Sequence, residues 1–187
     1  MNTGKKMFRL ILILCVLIPT AKLKADNYYW VGGTGNWSDY IQHWAVSSGG
    51  QLYHNHVPTP NDTVIFDSLS FLSVHDTVFA DSSILYCHTM KWEMVQGHPV
   101  FMNQTNVSNS FLKIYGSLQL DTGMSWQYSG IVRFYTFDAG QQIRAAGQQF
   151  ASLEFRGDTS GEIHFADTLS ASELSVYSGS IFSDGQV

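Results

Sequence analysis

Five side chains in the second half of the chain have types and spacing suited to holding a ligand: Lys113, Tyr115, Arg133, Tyr135 and Tyr177. They occupy outward positions of short alternating segments, Phe111-Leu112-Lys113-Ile114-Tyr115, Ile131-Val132-Arg133-Phe134-Tyr135 and Glu173-Leu174-Ser175-Val176-Tyr177. Two further segments fit the same pattern, Thr89-Met90-Lys91-Trp92-Glu93 and Ser152-Leu153-Glu154-Phe155-Arg156. Stacked in register, the five predict one outward column of Lys91, Lys113, Arg133, Glu154 and Ser175, and a second of Glu93, Tyr115, Tyr135, Arg156 and Tyr177. Aromatic rings beside cations are typical of surfaces that stack on sugar rings, so the columns are a candidate strip for a glycan or another partner. The alternative is a solvated sheet face whose side chains form ordinary cross-strand ladders.

Other groups offer less. Gly32-Gly33-Thr34-Gly35 lacks the Lys-Ser/Thr ending of a phosphate loop and reads as a tight turn. His54-Asn55-His56 places two imidazoles on one side of an extended segment, half a metal site at best, and a hydrogen-bonded pair is the better reading. Asp62 and Asp67 flank an apolar strand and are expected to cap its ends rather than bind calcium. Asp138, Glu154 and Asp158 are the carboxylates that polysaccharide cleavage would draw on, and their spacing singles none of them out. No catalytic residue, metal or cofactor is assigned.

The elements that must position these groups follow from the repeat. The first apolar residues of the five segments are at 90, 112, 132, 153 and 174, spaced by 22, 20, 21 and 21. Alternation of period two marks a strand with one buried face, and a fixed longer period marks a solenoid. Gly116, Gly157 and Ser178 close strands where the chain turns a corner, and second strands fit at Gly116–Leu120 and Gly161–Phe165. No window keeps a 3.6-residue period, so a helical repeat is excluded. The expected fold is all-β, a right-handed parallel β-helix of about five coils with about 21 residues each. Residues 68–187 form these coils. Residues 26–67, with Trp30, Trp37 and Trp44, form a Trp/Gly-rich cap that protects the first edge. The last residues stop in mid-coil, so the array is expected to continue.

The N-terminus reads as a signal peptide over residues 1–25. Lys5, Lys6 and Arg9 precede an apolar run from Leu10 to Ile18, too short to span a bilayer, and cleavage is placed after Ala25. Cys15 lies inside that run after Leu14, an unfavourable context for lipidation. The chain is therefore expected to be secreted or held at the cell surface, with no transmembrane helix once the signal is removed. The 187-residue chain has 10 basic and 15 acidic groups. Removing residues 1–25 takes away Lys5, Lys6, Arg9, Lys22 and Lys24 and no acid, so the formal charge moves from -5 to -10. That balance excludes a nucleic-acid binder, which needs a basic footprint. An apolar fraction of 44% excludes a disordered chain. Cys87 is then the sole cysteine and, within Ile84-Leu85-Tyr86-Cys87, is expected to be buried and inert.

The run YWVGGTGNWSDYIQHWAVSSGG, then VPTPNDTVIFDSLSF and CHTMKW, resembles the N-terminal module of large secreted or surface-anchored β-helical proteins of Bacteroidota. The resemblance covers about residues 28–92 and rests on Trp30, Gly32, Gly33, Gly35, Asn36, Trp37, Ser38, His43 and Trp44. It continues through Pro58, Asp62, Val64, Phe66, Asp67, Phe71, Cys87, Met90 and Trp92. It implies export, commonly by a type IX route, and an adhesin-like role toward surface glycans or matrix. It also implies that triplets such as Asp62-Thr63-Val64 and Asp167-Thr168-Leu169 accept O-glycans. The function expected is that of a non-catalytic adhesin-like or scaffolding module. The alternatives are a polysaccharide lyase or hydrolase on the same fold, and a stalk with no ligand.

Overall fold

The computed structural model describes residues 24–104, 109–135, 140–158 and 161–183. Residues 1–23 of the expected signal peptide 1–25, with Cys15, the carboxylate Asp138 and the last four residues lie outside them.

The regular elements of the described chain are strands, apart from one helical turn. It begins with β1 (Asn27–Trp30), β2 (Gly35–Asn36), one helical turn α1 (Tyr40–His43), β3 (Trp44–Ala45) and β4 (Thr63–Phe66). It continues with β5 (Thr77–Ala80), β6 (Ile84–Cys87), β7 (Thr89–Trp92), β8 (Val100–Asn103), β9 (Phe111–Ile114) and β10 (Leu118–Gln119). Then come β11 (Ser125–Gln127), β12 (Ile131–Phe134), β13 (Gln141–Arg144) and β14 (Gln149–Arg156). The described strands end with β15 (Glu162–Phe165), β16 (Ser170–Ser178) and β17 (Ser180–Ser183). They form three sheets. Sheet I has the order β17-β15-β13-β10-β7-β4-β1-β3, sheet II β11-β8-β5-β2, and sheet III β16-β14-β12-β9-β6. Successive strands alternate among the sheets and each pairs in parallel with the strand one coil away, which makes a parallel β-helix. The antiparallel pair β1–β3 closes the N-terminal end of sheet I.

Alternation explains the local structure. Segments such as Thr89-Met90-Lys91-Trp92 and Phe111-Leu112-Lys113-Ile114 bury every second residue. The buried residues stack along the axis. In sheet III, Leu85, Leu112, Val132 and Leu153 form one inward column, and Cys87, Ile114, Phe134 and Phe155 the next. No single coil could bury its own apolar side, so this stacking carries the stability. The Phe134 and Phe155 rings lie parallel at 5.3 Å, and Phe66 lies on Trp92 at 4.0 Å.

The Trp-rich segment extends the same core. Trp30, Trp37 and Trp44 are all buried, with Trp44 edge-on to both other indoles at 5.0 and 4.8 Å. Two of the indole nitrogens donate to backbone carbonyls, Trp30 to Gly33 at 2.8 Å and Trp44 to Trp37 at 2.9 Å. Segment 26–67 thus supplies strands to sheets I and II rather than sitting apart from them. Gly35 is required by a close approach, because a Cβ there would stand 1.9 Å from Nε2 of the buried His43.

One register expectation is corrected. The first rung of sheet III is Ile84–Cys87, whereas Thr89–Trp92 lies around the corner in sheet I. The step from Leu85 to Leu112 is 27 residues, while the steps to Val132 and Leu153 are 20 and 21. Both segments alternate and are separated by a single residue, His88, so period alone selected the one nearer 21 residues away. Lys91 and Glu93 therefore leave the predicted columns.

Candidate functional site

On the outer face of sheet III, the true central column is Tyr86, Lys113, Arg133, Glu154 and Ser175. Beside it run Ile84, Phe111, Ile131, Ser152 and Glu173. Tyr115 and Tyr135 follow the strands β9 and β12, and their rings stack at 4.7 Å and 10°. Tyr177 is brought to the same flank but not to that pair. A register shift at Phe155/Arg156 bulges β16, and the Arg156 guanidinium lies 3.8 Å from the centre of the Tyr177 ring. Lys113 Nζ sits 5.4 Å over Tyr86, and the Arg133 guanidinium 4.4 Å over Phe111. Cation–ring contacts of this sort are worth about 0.5–1 kcal/mol at exposed sites.

The polar centre of this face is one carboxylate between two guanidiniums. Arg133 Nε donates to Glu154 Oε2 at 2.6 Å, and Arg156 Nε donates to the same oxygen at 3.0 Å. Burial alone would raise the pKa of Glu154, but hydrogen bonds from Arg133 and Arg156 outweigh it and hold the carboxyl below its ordinary range. Arg133 is moved the other way. Burial opposes its charge, and Glu154 and Tyr135 more than compensate. Burial, with Tyr135 and Tyr86 beside it, pushes the Tyr115 hydroxyl up, so it stays a neutral donor. Glu154 is thus fixed as an anion, a poor proton donor for glycoside cleavage. Asp158 accepts from the Gly161 N–H at 2.9 Å and shapes a turn.

The remaining sequence candidates have structural partners. Gly32 and Gly33 have φ of 83° and 75° and make the tight turn that returns the chain past Trp30. His54 stacks on Tyr28 at 3.6 Å, and His56 Nδ1 lies 2.8 Å from the Tyr28 hydroxyl, so both imidazoles converge on one buried phenol. Asp62 accepts from the N–H groups of Asp26 and Thr59 and from the Thr59 hydroxyl. Asp67 accepts from the Leu69 N–H at 2.9 Å. Cys87 is buried, and burial pushes its thiol far up, as expected of an inert core thiol.

A second face was missed by sequence reasoning. The outer side of sheet I carries a groove of about 810 Å³, lined by Thr89, Lys91, Ser117, Gln119, Gln142 and Arg144 among others. Lys91, Gln119 and Arg144 occupy successive rungs of one column. Thr89, Ser117 and Gln142 belong to the neighbouring one, where the Gln142 N–H donates to Ser117 Oγ at 3.1 Å. Asp167 closes one corner, its two oxygens accepting from the Ala145 and Ala146 N–H groups at 2.7 Å each. The uneven coil lengths hid this column, because β7, β10 and β13 do not recur at the 21-residue period.

Together these features define a β-solenoid with two polar flanks. No protein-family profile, no curated protein and no solved structure matches the chain. Among the described residues, no helix is long and apolar enough to cross a membrane.

Proposed function

We propose that this chain is a non-catalytic module of an exported cell-surface or secreted protein, adhesin-like or scaffolding in role, that presents a glycan-binding strip on the flank of its solenoid. The observation that carries this reading is the stacked pair Tyr115 and Tyr135, both half-buried and set among Lys113, Arg133 and Arg156. Rings held in place by neighbours lose little freedom when a sugar stacks on them. The adjoining cations and hydroxyls supply donors for sugar oxygens. The stacked coils support a scaffolding role, since each rung is fixed by the ones beside it. The resemblance of residues 28–92 to modules of Bacteroidota surface proteins points the same way.

Replacing both Tyr115 and Tyr135 by Ala tests the reading, with glycan binding to immobilised polysaccharides as the readout and the far-ultraviolet spectrum as the folding control. Binding falls at least about tenfold if the rings are the platform, equivalent to 1.4 kcal/mol. Unchanged binding by a folded double variant would contradict it. A stalk with no ligand is the second reading. It is favoured by the internal pairing of Lys113 with Tyr86 and of Arg133 with Glu154.

A further inference from the structure

We propose that the groove on sheet I is a second binding site, for an extended acidic glycan whose carboxylates sit on Lys91 and Arg144. The inference rests on reading the chain as a glycan-binding module but not on the tyrosine strip. Its first support is charge. Of the five cations that follow residue 25, Lys113, Arg133 and Arg156 lie on sheet III, two of them committed to Glu154. The other two, Lys91 and Arg144, line this groove. Among the described residues, no carboxylate is within ion-pair distance of either. Asp167, the acid at the groove's edge, has turned both oxygens to backbone N–H groups. Glu93 and Asp121 border a smaller adjoining recess that shares Gln119 and Arg144 with the groove. The groove thus offers two cations, neither in an ion pair among the described residues, beside the one carboxylate of Asp167.

The second support is spacing. Lys91, Gln119 and Arg144 lie on consecutive rungs. Parallel strands are about 4.8 Å apart, so the two cations are about 9.6 Å apart along the axis with a neutral amide between them. An extended pyranoside chain advances by close to one rung per sugar. A polymer with a carboxylate on alternate sugars therefore places an anion at each cation and a neutral sugar at Gln119. Thr89, Ser117 and Gln142 alongside provide hydroxyl and amide partners for ring hydroxyls. A peptide finds no free backbone edge here, because β7, β10 and β13 each pair on both sides. A nucleic acid would bring a continuous phosphate charge to a groove with two cations, on a chain whose residues 26–187 have a formal charge of -10.

The test is calorimetric titration of the full chain with three probes: an oligosaccharide alternating glucuronate and N-acetylglucosamine, an oligogalacturonate, and a neutral β-glucan of the same length. The alternating probe binds most tightly, and its affinity falls as salt is raised, since exposed charges are screened. The double variant Lys91→Gln with Arg144→Gln weakens it by about tenfold or more, whereas Tyr115→Ala with Tyr135→Ala is titrated with the neutral glucan to read the strip on sheet III. Urea midpoints confirm that both variants fold. Equal binding of the alternating probe and the neutral glucan, or wild-type affinity in the Lys91/Arg144 variant, overturns the groove. If the neutral glucan binds through the tyrosines and no acidic probe binds, the groove fails while the glycan-binding module stands. If no probe binds, both fail.

Discussion

Glu154 shows how one residue can organise a face. An outward position on a strand would normally leave a carboxylate in water, yet its side chain is only 11% exposed and receives two guanidiniums. Its folded pKa is depressed, so the stability it contributes is complete above the ordinary Glu range and is lost as pH falls through the folded value. Glu154→Gln removes that dependence. Its Tm is expected to change less than that of the wild type as the solution is taken from neutral to acid. At neutral pH the variant loses on the order of 1 kcal/mol, discounted because Arg156 is partly solvated. A thermal melt at several pH values reads both effects. The inward neighbour Phe134 is stacked on Phe155 and wholly buried. Phe134→Ala should cost about 3–5 kcal/mol, seen as a lower urea midpoint.

At the scale of elements, the alternation of buried and outward residues was legible in the sequence, and so were the solenoid and most of its sheet III strands. Phe111–Tyr115, Ile131–Tyr135 and Ser152–Arg156 pair as their spacing predicts. Corners were not legible. The chain turns from β6 to β7 within one residue, His88, whereas seven residues separate β8 from β9, and no hydrophobic period encodes such differences. That is why Lys91 was placed beside Lys113 and the groove on sheet I went unseen. Corner chemistry has its own energetic weight. Asp167 satisfies two N–H groups at a turn where Ala146 has φ of 52°, so Asp167→Ala should lose about 1–3 kcal/mol by urea denaturation.

For the molecule as a whole, the distribution of its few cations matters more than their sum. The sequence reading gathered four of them on one face. The coil lengths instead put three on sheet III and two on sheet I, which turns one candidate strip into two chemically different flanks. One flank is aromatic and internally paired; the other is polar and holds two cations outside any ion pair among the described residues. Both assignments depend on the register of the rungs, so the most direct test is disulfide trapping. Lys91→Cys with Gln119→Cys places two thiols on neighbouring parallel rungs, about 4.8 Å apart at Cα and within the 4.4–6.8 Å that a disulfide spans. Cys87, buried with its thiol pKa pushed up, stays out of the reaction. Under mild oxidation this pair is predicted to cross-link rapidly within one chain, and Lys91→Cys with Lys113→Cys is predicted to stay reduced. Cross-linking of the 91/113 pair in place of the 91/119 pair would contradict the two-flank solenoid and both sites built on it.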